Sequence, residues 1–142
     1  MTYAVKQDLI DRFGLVELVQ LTDRTNVPQT TVDDTVVGRA LADADQTIDG
    51  YLQSAGLQLP LAPVPALLVR LACDIARYFL HKDGPTDVVR KNYEDALKML
   101  RDIANGTIQL QVAGQAPAVS GGAVQIDAPD RTFSRETLGD FA

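Results

Sequence analysis

The stretch that most constrains the fold of this chain is an unusually apolar segment at residues 63–81. Its large apolar side chains recur at intervals of three and four, the spacing that lines one face of an α-helix. That face consists of Leu68, Leu71, Ala72, Ile75 and Phe79, widened by Leu67 and Leu80. A helix over residues 65–82 that is apolar around so much of its circumference needs neighbours on several sides. The sequence therefore predicts a small helical bundle with this segment at its centre.

Further helices are predicted around the central one. Helical spacing and end signals place them at residues 6–13, 15–21, 33–54 and 87–105. Gly14 separates the first two, which are too short to be stable alone and must pack on the rest of the domain. A proline-rich connector leads into the central helix, and Thr86 is a good N-cap for the last one. The central helix would be about 27 Å long, too short and too charged to cross a membrane.

Residues 107–112 give the one clear β-strand signal, because apolar and polar side chains alternate strictly there. Ile108, Leu110 and Val112 share one face of this predicted strand. A lone strand is not stable and needs a partner. The candidates are a weak second strand at residues 123–126 or a strand from another copy of the protein. Ile108, Leu110 and Val112 are candidates for contacts with another subunit or with a partner protein.

The remainder of the chain predicts a two-part organisation. Residues 1–112 form the helical domain with its terminal short strand, and residues 113–142 form a linker and a C-terminal docking tail. Residues 113–128 are rich in Gly, Ala, Pro, Ser and Gln, which is typical of a flexible linker. The large apolar residues beyond it are Phe133, Leu138 and Phe141. This tail either folds back on its own domain or docks on a neighbouring subunit, and plain disorder is a third interpretation.

Composition excludes several classes of function. The 142-residue chain has a net charge of −6, which disfavours tight binding to DNA or to an anionic membrane surface. Its one cysteine, Cys73, excludes an internal disulfide framework and fits a reducing compartment. No basic segment followed by an apolar stretch begins the sequence, so no signal peptide is predicted.

No residue pattern indicates a catalytic, metal or cofactor site. His81 shows no ligand spacing and suits a helix C-terminus, and Cys73 fits a structural thiol. Asp43, Asp45 and Asp49 could form a carboxylate site, although acids are expected on the wet face of their helix. We therefore predict a protein that is not an enzyme, with a carboxylate metalloenzyme using these three residues as an open alternative.

Arg70, Asp74 and Arg77 share one edge of the central helix. Their spacing of four and three allows salt bridges within the helix. The other interpretation is that they pair with another subunit or with the loop after the second helix. All three are therefore candidate contact residues.

A resemblance adds a functional hypothesis. The segments that carry it, in order, are ELVQLTDR at 17–24, ALADA at 40–44, IDGYL at 48–52, PLAPVP at 60–65, RLACDIARY at 70–78, YEDAL at 93–97 and LRDIANG at 100–106. Over residues 2–112 the chain resembles the Mu-like phage and prophage virion protein family of small head–tail adaptors.

That resemblance implies an α-helical connector of the virion neck, present in the host cytoplasm before assembly. Many copies would form a ring that binds the portal protein above and a stopper or tail-completion protein below. DNA would pass through the ring without specific binding, which is compatible with an acidic lumen. The alternative from another class is a small helical regulatory module that binds a host factor or controls assembly.

Overall fold

The structure is a computed structural model that describes residues 1–112, and the predicted linker and tail at 113–142 lie outside the described residues. The elements are α1 (Lys6–Phe13), α2 (Leu15–Thr22), α3 (Asp34–Ser54), α4 (Ala66–Leu80) and α5 (Asp87–Ala104). The mainly α prediction is confirmed. The predicted ends differ from these bounds by two residues at most.

Helix α4 lies at the centre of the bundle, as its sequence predicts. It packs against α3, α5 and α1, while α3 also contacts α5, α1 and α2. Its buried side chains are Leu68, Leu71, Ala72, Cys73, Ile75, Ala76 and Leu80. Burial around so much of one helix explains why this segment carries so few charges.

Phe79 is the exception to the predicted apolar face. Its side chain is 36% exposed, although the spacing places it in line with Ile75. Phe79 lies in the last turn of α4, where its ring meets Tyr78 and Tyr93 in edge-on contacts. Neighbouring helices thus cover the side of this turn that bears Phe79 less completely than the side that bears Leu80, and the prediction of a core role for Phe79 is wrong.

Local signals fix the helix ends. The Asp33 carboxylate accepts hydrogen bonds from the backbone N–H groups of Thr35 and Val36, and the Thr86 hydroxyl accepts one from Val89 N–H. Gly14 joins α1 to α2 with φ of 91°, a conformation that side chains other than glycine rarely adopt. These residues place the helix boundaries where the sequence predicted them within a residue or two.

Residues 107–112 do not form the predicted strand, and no strand is present among residues 1–112. The alternation itself is real: Ile108, Leu110 and Val112 are half-buried and pack against the core, while the residues between them are exposed. The helical bundle thus receives the apolar side chains of this segment, and the Ile108 N–H donates to the Asp102 carbonyl of α5 rather than to a neighbouring strand. The other proposed partner, at residues 123–126, lies outside the described residues.

None of the helices in the described part of the chain is long and apolar enough to span a bilayer.

Candidate functional site

Two acidic residues of α3, Asp45 and Asp49, bind the N-terminal segment. The Asp49 carboxylate accepts from the Tyr3 hydroxyl and pairs with the Met1 ammonium at 2.9 Å. The Asp45 carboxylate accepts from Tyr3 N–H at 3.0 Å. Burial, followed by the hydrogen bond to Asp49, raises the pKa of Tyr3, and burial raises the pKa of Asp45.

The three carboxylates considered as a metal or catalytic site are therefore not brought together. Asp45 and Asp49 bind the N-terminal segment, whereas Asp43 is exposed and lies beside Phe79. Within residues 1–112 no group of three His, Cys, Asp or Glu side chains is placed to hold a metal ion. The arrangement uses Asp45 and Asp49 to hold the N-terminal segment.

The loop between α2 and α3 is built around Asp23, whose side chain is almost fully buried. The carboxylate accepts backbone N–H bonds from Thr25, Asn26, Thr30 and Thr31, together with side-chain bonds from Thr25 and Asn26. These bonds, led by that from Thr30 N–H, hold the pKa of Asp23 well below its usual range. A single carboxylate thus orders a long loop that has no helix or strand of its own.

We expect the Asp23→Asn variant to be less stable than the parent chain at neutral pH, because an amide nitrogen cannot accept the bonds from Thr30 and Thr31. A depressed pKa in the folded state contributes stability above the unfolded pKa, and that stability is lost as pH falls. The difference between the two proteins should therefore shrink below about pH 4. Urea unfolding of both proteins, followed by circular dichroism between neutral and acid pH, measures this difference in free energy of unfolding. A difference that stays constant with pH would contradict this account of the loop.

Arg77 joins three helices rather than lying along one edge of α4. Its guanidinium reaches Glu17 of α2, with Nη2 at 2.7 Å and Nε at 2.8 Å from the same carboxylate oxygen. The guanidinium carbon also lies 4.4 Å from the centre of the Phe13 ring of α1. Arg77 therefore pairs with a residue of α2 and not with the loop that follows α2, which was one of its predicted partners.

The other two residues of this predicted edge do meet within α4. Arg70 Nε and the Asp74 carboxylate are 3.8 Å apart, and Arg70 is mostly exposed. Burial raises the pKa of Asp74, and the neighbouring guanidinium groups of Arg70 and Arg12 act in the opposite direction. Asp74 also lines a cleft of about 180 Å³ between α4 and α5, opposite Asp95. A role for Arg70, Asp74 and Arg77 in subunit contacts stays a prediction.

The one cysteine and the one histidine both have structural surroundings. Cys73 is fully buried, and this burial raises the pKa of its thiol to about 11. His81 ends α4, where its Nδ1 lies 2.8 Å from the Arg77 carbonyl oxygen. It also lines an open cleft of about 310 Å³ with Asp23 and Lys82. Within residues 1–112 neither residue belongs to a group of three metal-ligating side chains, and the nearby Arg12 guanidinium only partly offsets the effect of burial on the pKa of the Cys73 thiol.

Sequence reasoning missed an aromatic surface at the α4–α5 junction. We define the aromatic patch as Tyr78, Phe79 and Tyr93. The Tyr78 and Tyr93 rings stack with centroids 3.9 Å apart and an interplanar angle of 7°, and the Phe79 ring touches the edges of both. Spacing along α4 could not reveal this patch because it depends on a ring from another helix. The remaining candidate contacts, Phe133, Leu138 and Phe141, lie outside the described residues.

Comparison with known proteins gives the family. The sequence profile described as Bacteriophage Mu, Gp36 matches residues 3–127. The chain is 38% identical over 141 residues to the Mu-like prophage FluMu protein gp36 of Haemophilus influenzae, covering 98% of this chain and 97% of that protein. It is 36% identical over 141 residues to Gene product J of Escherichia phage Mu, covering 98% and 99%. These matches confirm the resemblance to Mu-like phage and prophage proteins, and the chain belongs to the bacteriophage Mu Gp36 family.

Proposed function

We propose that this protein is a head–tail connector subunit that forms a ring on the portal and links the phage head to the tail. The observation that carries the proposal is the relationship, along nearly the whole chain, to proteins of phage Mu and a Mu-like prophage. The exposed large apolar side chains of the described bundle, which include Leu15, Val16 and Val88, are scattered over several elements and do not by themselves indicate a partner.

In this proposal the protein is a structural component of the virion neck and needs no cofactor. Before assembly it resides in the host cytoplasm. Its partners are neighbouring copies of itself, the portal protein and a stopper or tail-completion protein. The net charge of −6 favours a lumen that lets DNA pass without holding its phosphates.

Contacts between copies are assigned to two parts of the chain. The first is the segment carrying Ile108, Leu110 and Val112, whose half-buried side chains leave part of their surface for a neighbour. The second is the tail with Phe133, Leu138 and Phe141. Arg70, Asp74 and Arg77 are assigned a supporting role, in which exposed Arg70 is the residue best placed to reach another subunit.

Native mass spectrometry of the full chain, alone and mixed with its portal protein, tests this function. We expect a ring-sized complex only in the mixture, because assembly on a template needs the portal surface. A chain that ignores the portal and instead forms one small complex with a host protein would favour the regulatory module. In that case incorporation into virions should also be absent.

Removing residues 115–142 should leave the helical domain folded and impair ring formation. The reason is that the five described helices already share one core made by their own side chains. Circular dichroism measures the helical content, and native mass spectrometry with the portal measures assembly. Loss of helical content would contradict the two-part organisation, and full assembly of the shortened chain would contradict the role of the tail.

A further inference from the structure

Tyrosines of three helices lie close together where α3, α4 and α5 pack against one another. Tyr51, Tyr78 and Tyr93 are each half-buried. The Tyr78 and Tyr93 rings lie face to face, with centroids 3.9 Å apart and an interplanar angle of 7°. Burial, followed by the neighbouring Tyr78 and Tyr51, raises the pKa of Tyr93, so this phenol is protonated at neutral pH. Any electron that leaves the stacked pair must therefore be accompanied by a phenolic proton.

The stacked geometry suits the coupling of two phenoxyl radicals. A phenol that loses an electron and its proton becomes such a radical, with unpaired spin in the ring π system at the carbons ortho to the oxygen. Coupling begins with overlap of these π orbitals, which point out of the ring planes. Face-to-face contact of Tyr78 with Tyr93 presents the orbitals that must overlap, whereas the edge-on contacts of Phe79 do not.

Few other side chains compete with this pair for a one-electron oxidant. The chain has no tryptophan. Cys73 is fully buried, and burial raises the pKa of its thiol to about 11, so it is present as the unreactive thiol. Tyr3 is only 4% exposed, and its hydroxyl donates to Asp49.

The hydroxyls of the stacked pair are open to water. Neither the Tyr78 nor the Tyr93 hydroxyl forms a hydrogen bond in the described part of the chain, and no buried side-chain oxygen there lacks a partner. Both hydroxyls therefore reach solvent, which can accept their protons when the rings are oxidised.

We propose that Tyr78 and Tyr93 form a dityrosine cross-link within one chain when the protein meets a diffusible one-electron oxidant. Each phenol gives one electron to the oxidant and its phenolic proton to water. The two radicals then join through a carbon–carbon bond between positions ortho to the oxygens. The hydrogen on each joined carbon moves to the phenolic oxygen and restores both aromatic rings, so the pair loses two electrons and two protons. The bond ties α4 to α5 and does not depend on the connector function.

Oxidation of the full chain with hexachloroiridate(IV), an outer-sphere one-electron oxidant, tests this modification. We expect the fluorescence of dityrosine in a product that stays monomeric on a denaturing gel. Trypsin cuts after lysine and arginine, so the digest should contain peptides 78–82 and 92–98 joined with the loss of two hydrogen atoms. Cross-linked dimers in place of this product, or a yield that falls on dilution, would overturn the proposal.

Conservative variants test the assigned pair without disturbing the fold. Tyr78→Phe and Tyr93→Phe should each abolish the cross-link, because phenylalanine keeps the stack but has no phenolic proton to lose. Tyr51→Phe is the matched control and should leave the yield unchanged, since within residues 1–112 the Tyr51 ring stacks on neither partner. A product that joins Tyr51 to Tyr93 would overturn the pairing. Oxidation in urea should lose the product, and an undiminished yield there would show that the native stack is not required.

Discussion

Replacing Ile75 with alanine should lower the free energy of unfolding by about 2–5 kcal/mol, the usual cost of truncating a large buried aliphatic side chain. Ile75 has no solvent exposure and lies on α4, which contacts α3, α5 and α1. The change removes apolar contacts and leaves a cavity that tightly packed neighbours cannot fully close. The effect should therefore be among the largest of any single truncation in the chain.

Phe79→Ala is the matched control, because Phe79 lies one helical turn after Ile75 on the same predicted face of α4. Phe79 is 36% exposed, so we expect a cost of only about 1 kcal/mol despite the larger side chain. Urea unfolding followed by far-ultraviolet circular dichroism measures both variants, since the chain has no tryptophan. Equal costs for the two substitutions would contradict the placement of the last turn of α4.

Replacing Arg77 with methionine should lower the free energy of unfolding by about 2–3 kcal/mol, the second large effect that we expect. The guanidinium donates one charge-assisted hydrogen bond from Nε to Glu17 and pairs with the same carboxylate through Nη2, and a hydrogen bond to a charged group contributes about 1.5–3 kcal/mol to stability. Its contact with the Phe13 ring adds about 0.5–1 kcal/mol. Part of this is offset because Met retains an apolar stem and water can reach Glu17. The loss should loosen α1 and α2 more than α3 and α5.

A double-mutant cycle separates the ion pair from the packing. Glu17→Gln alone should cost less than Arg77→Met, and the two together should cost less than their sum by about 1–2 kcal/mol. Hydrogen exchange then locates the effect, with faster exchange expected in α1 and α2. Strict additivity would mean that Arg77 stabilises the bundle without Glu17. An assembly defect in Arg77→Met that exceeds its loss of stability would support the predicted role in subunit contacts.

The helices were predictable because local and global signals agree. The apolar spacing of α4, the glycine at position 14 and the Thr86 cap each act through a few neighbouring residues, which the sequence displays directly. The central position of α4 followed from its amphipathic pattern, since a helix with such a wide apolar face must be surrounded. Burial of Leu68, Leu71 and Ile75 confirms that reasoning.

The errors arose where a residue's surroundings come from distant parts of the chain. Alternation at 107–112 correctly identified which side chains point inward, but it could not tell whether a strand or a helical bundle would receive them. Likewise, spacing within α4 could not show that neighbouring helices cover Leu80 in the last turn but leave Phe79 partly exposed. A periodic pattern shows which side of a helix or strand is apolar, but it does not show which other part of the chain packs against that side.

The candidate site was predictable only in part for the same reason. The sequence placed Asp45 and Asp49 on one face of α3, but their use depends on Tyr3, more than forty residues earlier. Arg77 was correctly selected as a charge that needs a partner, yet its partner is sixty residues away. Long-range polar pairs leave no periodic trace, so neither partner could be read from spacing.

Because Cys73 is fully buried, the reactivity of its thiol can be used to measure how often the centre of the bundle opens. With no exposure and a pKa of about 11, this thiol cannot react with alkylating reagents until α4 separates from its neighbours. The rate of alkylation in the native protein therefore measures how often the centre of the bundle opens. It also means that a cysteine introduced on the surface can carry a fluorophore while the native thiol is left in place.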